Sequence, residues 1–130
     1  MTKAARSVFV FSIYLFILGS ILVVVPNRLL SLFGFPHTGE VWVRVVGMLV
    51  LILGFYYLTA ARRELTPMLR ATVFGRSAVL IFFTAFVLLG FAPPALILFG
   101  AIDALGAVWT AVALRDGTAG SRNGYTSPTD

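Results

Sequence analysis

Four runs of about 20 largely apolar residues, at 7–25, 41–61, 72–90 and 95–114, take up most of this 130-residue chain. A helix rises ~1.5 Å per residue, so each run is long enough to cross a hydrocarbon core of ~30 Å. In water, a domain of this size has too high a surface-to-volume ratio to hide so much apolar side chain. The composition sharpens the point: 59% of the residues are hydrophobic and only 12% are charged. In a bilayer the backbone must satisfy its own polar groups, which leaves helices as the form these runs can take. The expected fold is therefore an all-α membrane protein. A four-transmembrane-helix bundle forms one domain over 1–115, and a Gly-, Ser- and Thr-rich cytoplasmic tail at 116–130 is expected to be mobile and dispensable.

The connections refine this picture. Lys3 and Arg6 precede the first run and resemble the basic start of a signal peptide. The run is too long for that, and no small-residue cleavage pattern follows, so a retained helix is expected. Pro26 ends it. Residues 26–40 then hold Leu29, Leu30, Leu32 and Phe33 between two prolines, Pro26 and Pro36. This segment is too short to span, and reads as a short interfacial or re-entrant segment between helices 1 and 2, or as a packed apolar loop. The link Phe91-Ala92-Pro93-Pro94 is so tight that the third and fourth runs must form an antiparallel hairpin.

The basic residues set an orientation. Lys3, Arg6, Arg62, Arg63, Arg70, Arg76, Arg115 and Arg122 fall on one side of the four-span arrangement, and only Arg28 and Arg44 on the other. By the positive-inside rule both termini are expected in the cytoplasm, with the chain in the inner (plasma) membrane. The net charge of +5 is thus a topology signal, and no nucleic-acid partner is expected. There is no cysteine, which excludes thiol redox relays and zinc-thiolate sites. The single histidine, His37, lies in a loop, so one chain cannot ligate a haem through two histidines. No nucleophile–base pair, phosphate loop or metal-ligand cluster is visible, and no catalytic residue, cofactor or metal is expected.

Three ionisable residues fall inside the apolar runs: Arg44, Arg76 and Asp103. Charges at membrane depth are costly and usually face the bundle interior. Asp103 is the ninth of twenty residues in the fourth run, almost at the midplane. Gly100, Ala107 and Thr110 share its helix face, with Leu98, Leu105, Trp109 and Val112 opposite. In the second run Arg44, Gly47, Leu51 and Gly54 fall on one face, and Val46, Leu49, Leu53 and Tyr57 on the other. Small residues mark helix-packing faces, here Gly47, Gly54, Gly100 and Ala107, and the bulky apolar face opposite marks the lipid face. By depth, Arg44 reaching inward is the expected partner of Asp103. Arg76 is the alternative partner, or snorkels to the cytoplasmic interface. Such a pair acts as structural glue or as a ligand or proton site. Ser12, Tyr14, Ser20, Ser77 and Thr84 are further polar residues available to the interior.

The string Arg44-Val-Val-Gly47-Met-Leu-Val-Leu51-Ile-Leu-Gly54 resembles a pattern in small bacterial four-helix membrane proteins of the DoxX-like type. The order of elements is also similar: a Pro-terminated first helix, an Arg–Gly second helix, a basic turn, then a hairpin. The resemblance implies the same architecture over roughly residues 8–114. The leading functional expectation is a non-enzymatic small subunit or scaffold of a membrane complex, with a membrane protein partner or a homo-oligomer. The alternative is a binding or carrier protein for a lipophilic molecule, a quinone or lipid, with Arg44 and Asp103 in its pocket.

Overall fold

The computed structural model describes residues 1–123. These form five helices and, among the described residues, no strand: α1 (Lys3–Val24), α2 (Pro26–Leu32), α3 (Trp42–Arg62), α4 (Thr66–Leu88) and α5 (Ala95–Asn123). α1, α3, α4 and the stretch Ala95–Gly117 of α5 are each long and apolar enough to cross a membrane. Their outer surfaces carry large apolar side chains such as Phe74, Ile81 and Leu105, which are 70–77% exposed. A water-soluble monomer rarely presents such a surface, and a membrane-embedded one does so by default.

Hydropathy located the spans but not the helix ends. α1 starts at Lys3, where the Thr2 hydroxyl caps it by accepting from the Ala5 amide at 3.1 Å. α4 starts at Thr66, six residues before the apolar run, with Pro67 in its first turn. A proline there fits because its missing N–H is not needed. α5 continues past 114 to Asn123, so the first part of the expected tail is helical; residues 124–130 of that tail lie outside the described residues. In each case the backbone keeps hydrogen-bonding to itself after the apolar pattern stops.

Between α1 and α3, α2 is a single short helix. Pro26 opens it, and Gly34, with φ +76°, follows its end. The Asn27 side chain pins the following loop by bonding both the amide and the carbonyl of Thr38, at 2.9 and 3.1 Å. Phe33, at the end of α2, meets Phe99 of α5 with ring centroids 4.7 Å apart. α2 therefore reaches from α1 across one end of the bundle to α5.

α1 is the central helix. It packs along α3 on one side and against α5 on another, and α5 packs along α4; α3 and α4 touch only sparsely. The order around the bundle is α3, α1, α5, α4, with a gap between α4 and α3. The α1–α3 seam is built on glycine. A Cβ placed on Gly47 would lie 2.8 Å from Leu22 Cβ and 2.9 Å from the Val23 amide nitrogen, and one on Gly19 would lie 2.9 Å from the Gly47 carbonyl oxygen. Gly54 faces Leu15 across the same seam, and Gly100 of α5 lies against the backbone of Leu80 in α4. Ala107 is buried. The tightest core joins the start of α1 (Ala4, Ala5, Val8), the end of α3 (Ala60, Ala61), Leu69 of α4 and Ala113 of α5. Small side chains let all four helices converge at this end, where most of the basic residues also cluster. Towards the other end α1 stays packed on α3 and α5 on α4, while α3 and α4 part.

Candidate functional site

The divergence of α3 from α4 leaves a pocket of about 520 Å³ within the helical bundle. α1 forms its floor through Phe11, Tyr14, Leu15, Leu18 and Leu22, and α2 closes one end with Leu29 and Leu30. Val46 and Leu53 of α3 and Gly75 of α4 line the pocket and are exposed, and α3 and α4 touch only sparsely. The pocket therefore opens sideways, between α3 and α4. Its wall is almost wholly apolar. The polar side chains lining it are Tyr14, Tyr57, Arg76 and Asp103.

Arg76 is the hub of the inner end. It is only 2% exposed, so it does not snorkel to an interface. Its Nε donates to the Thr72 carbonyl at 3.2 Å, and its Nη2 donates to the hydroxyls of Thr72 at 3.1 Å and Thr110 at 2.7 Å. Thr110 Oγ1 in turn shares a 2.6 Å hydrogen bond with Ser7 Oγ. Three helices, α4, α5 and α1, are thereby tied through one guanidinium and two hydroxyls. The guanidinium also lies over the Phe11 ring, 4.8 Å from its centroid, and 6.0 Å from that of Tyr57. Rings at this distance stabilise a cation through their quadrupole. The remaining nitrogen, Nη1, is buried with no hydrogen-bond partner among the described residues. It lies against Gly106, where a Cβ would come within 3.0 Å of it. Gly106 is one turn along α5 from Asp103.

Asp103 lines the pocket and is partly buried. The pairing expected from depth does not form. Arg44 is exposed and donates to the Val23 carbonyl in the last turn of α1. The cause is geometric: the glycine face that carries Arg44 is the face packed on α1, so the arginine meets α1's terminus. Pro26 lacks an N–H, and the last carbonyls of any helix lack intrahelical donors, which makes that terminus a good acceptor for a cation. Arg44 thus does not line the pocket. Arg76 does, on the same cavity wall as Asp103 but outside salt-bridge distance. The one salt bridge among the described residues is remote, between the Met1 ammonium and Glu64 at 3.6 Å.

No protein-family model matches this chain, and no curated protein or solved structure is similar to it. The site is therefore read from its own chemistry.

Several of its residues were legible beforehand, but in other roles. Thr110 belongs to the Asp103 face, and Tyr14 to the set of interior polar residues. Val46, Leu53 and Tyr57 fall on the α3 face opposite the glycines, where a lipid-facing surface is expected; in the structure they wall the pocket. Ser77 is exposed and bonds the Val73 carbonyl of its own helix, at 2.8 Å. The signal that could have singled out Arg76 is Thr72, four residues earlier on the same helix face, where its hydroxyl can hold a buried arginine in place.

Proposed function

We propose that this chain is a multi-pass membrane protein that binds a lipophilic small molecule, a quinone or lipid, in the pocket between α3 and α4. One observation carries the reading: a cavity of about 520 Å³ with an apolar wall and a few polar groups gathered at one part of it. That is the usual make-up of a small-molecule site. The sideways opening supports entry from the hydrocarbon, where such a ligand is most concentrated. The basic end, with the N-terminus, the α3–α4 turn and the end of α5, is placed in the cytoplasm by the positive-inside rule. α2 then lies near the opposite surface of the plasma membrane.

The small-residue faces that could dock a partner subunit are used within the chain: Gly19, Gly47 and Gly54 between α1 and α3, and Gly100 between α5 and α4. For that reason the pocket, rather than a scaffold surface, carries the proposal.

The test is extraction of the full chain into lipid nanodiscs, followed by native mass spectrometry. A recurring lipophile should stay bound to the wild type and to Arg44→Ala, and be lost from Asp103→Leu. Equal retention by all three, or no retained molecule in the wild type, would refute the pocket reading.

A further inference from the structure

The inner part of the pocket brings together two groups of opposite hydrogen-bonding character. Arg76 supplies the positive charge and can only donate; its Nε and Nη2 are used by Thr72 and Thr110, and its Nη1 is buried against Gly106, out of reach of a ligand in the cavity. Asp103 accepts through its carboxylate oxygens. They line the same cavity without forming a salt bridge. Their formal charges cancel, so a charged head group would leave one charge in excess inside an apolar wall. Burying an uncompensated charge is far more costly than burying a hydrogen-bonded neutral group. A neutral head with a hydroxyl donor satisfies Asp103 and adds no charge.

The route into the pocket narrows the ligand further. At the basic end the four helices close on Ala4, Ala5, Ala60, Ala61, Leu69 and Ala113, so no head group passes there. At the other end stand Leu29 and Leu30 of α2. What remains is the opening between α3 and α4, which faces hydrocarbon in a four-span arrangement. A phosphate-bearing head would have to cross that hydrocarbon, whereas a hydroxyl or ester does so at modest cost.

We infer that the pocket selects a neutral, single-chain amphiphile whose small head carries a hydroxyl donor. The donor faces Asp103, and the tail runs along Leu18, Leu22 and Leu29. The inference rests on the pocket reading and adds to it the chemistry of the head group.

The experiment holds the tail constant and varies the head. The full chain in nanodiscs is presented with 1-lauroylglycerol, methyl laurate, laurate and dodecylamine, and bound ligand is read by native mass spectrometry. Lauroylglycerol should be retained about tenfold or more over each of the others, the effect of one hydrogen bond to a charged group. Asp103→Asn adds an amide donor, so methyl laurate should then come within about threefold of lauroylglycerol. Strongest retention of laurate or dodecylamine would overturn the neutral-head assignment and leave the pocket reading standing, as would equal retention of all four. Retention of none would overturn both. Wild-type selectivity in Asp103→Asn would remove Asp103 from the recognition of the head.

Discussion

Replacing Thr110 with valine keeps shape and volume but deletes the hydroxyl on which Arg76 and Ser7 converge. Thr110 is 0% exposed, and its Oγ1 accepts from Arg76 Nη2 at 2.7 Å. Valine leaves that guanidinium with Thr72 alone, in addition to the unpartnered Nη1. Hydrogen bonds to charged groups contribute ~1.5–3 kcal/mol in water-soluble proteins. Interhelical polar contacts in bilayers average ~0.6 kcal/mol and reach ~1.7 kcal/mol. Burial and the cationic donor place this bond at the upper end of the bilayer range, about 1.5 kcal/mol. That corresponds to roughly a tenfold change in the unfolding equilibrium. Arg76→Leu behaves differently, because it removes the cation while the hydroxyls stay bonded. Thr72 Oγ1 donates to the Leu69 carbonyl at 2.7 Å, and Thr110 Oγ1 to the Gly106 carbonyl at 3.1 Å. The double mutant should therefore lose about 1 kcal/mol less than the sum of the single losses. The assay is reversible unfolding by SDS in mixed micelles, followed by helical circular dichroism. Single losses that add to within about 0.3 kcal/mol would refute the tie between α4 and α5.

Three other outcomes follow from particular contacts. Gly47→Ala forces a Cβ to within 2.8 Å of Leu22 Cβ and 2.9 Å of the Val23 amide nitrogen, and should cost ~1–3 kcal/mol in the same titration. Gly75→Ala meets nothing within 4 Å and should be neutral or gain up to ~1 kcal/mol from helix propensity. Arg44→Ala and Asp103→Ala should be additive to within about 0.5 kcal/mol, and recovery in the double mutant would reinstate the ion pair that depth alone suggests. Reporter fusions after Arg63 and after Arg115 should read as cytoplasmic and one at 34–38 as external; a cytoplasmic signal from 34–38 would defeat the four-span arrangement.

How far the chain's own pattern reaches is clearest at α3. Its span was visible from hydropathy, and the Gly47/Gly54 face from the spacing of small residues, because both are properties of one helix in isolation. The same reasoning assigned Val46, Leu53 and Tyr57 to lipid. One helix's periodicity distinguishes a packed face from an open one, but it does not distinguish open lipid from an open pocket. Both are apolar, and the difference lies in where α4 stands.

The sequence by itself determined the helical, apolar, multi-span character of the chain, since length and hydropathy act locally and leave few alternatives. It also determined which residues carry charge at depth. The partners of those charges were decided by tertiary structure. Depth matched Arg44 to Asp103, but azimuth prevailed: the close Gly19–Gly47 approach turns Arg44 onto the end of α1, and the packing of α4 along α5 carries Arg76 inward to Thr110. Register along a helix can be counted from residue numbers. Rotation of one helix about another is set by side chains meeting across the seam, so a contact between helices exists only once they have packed.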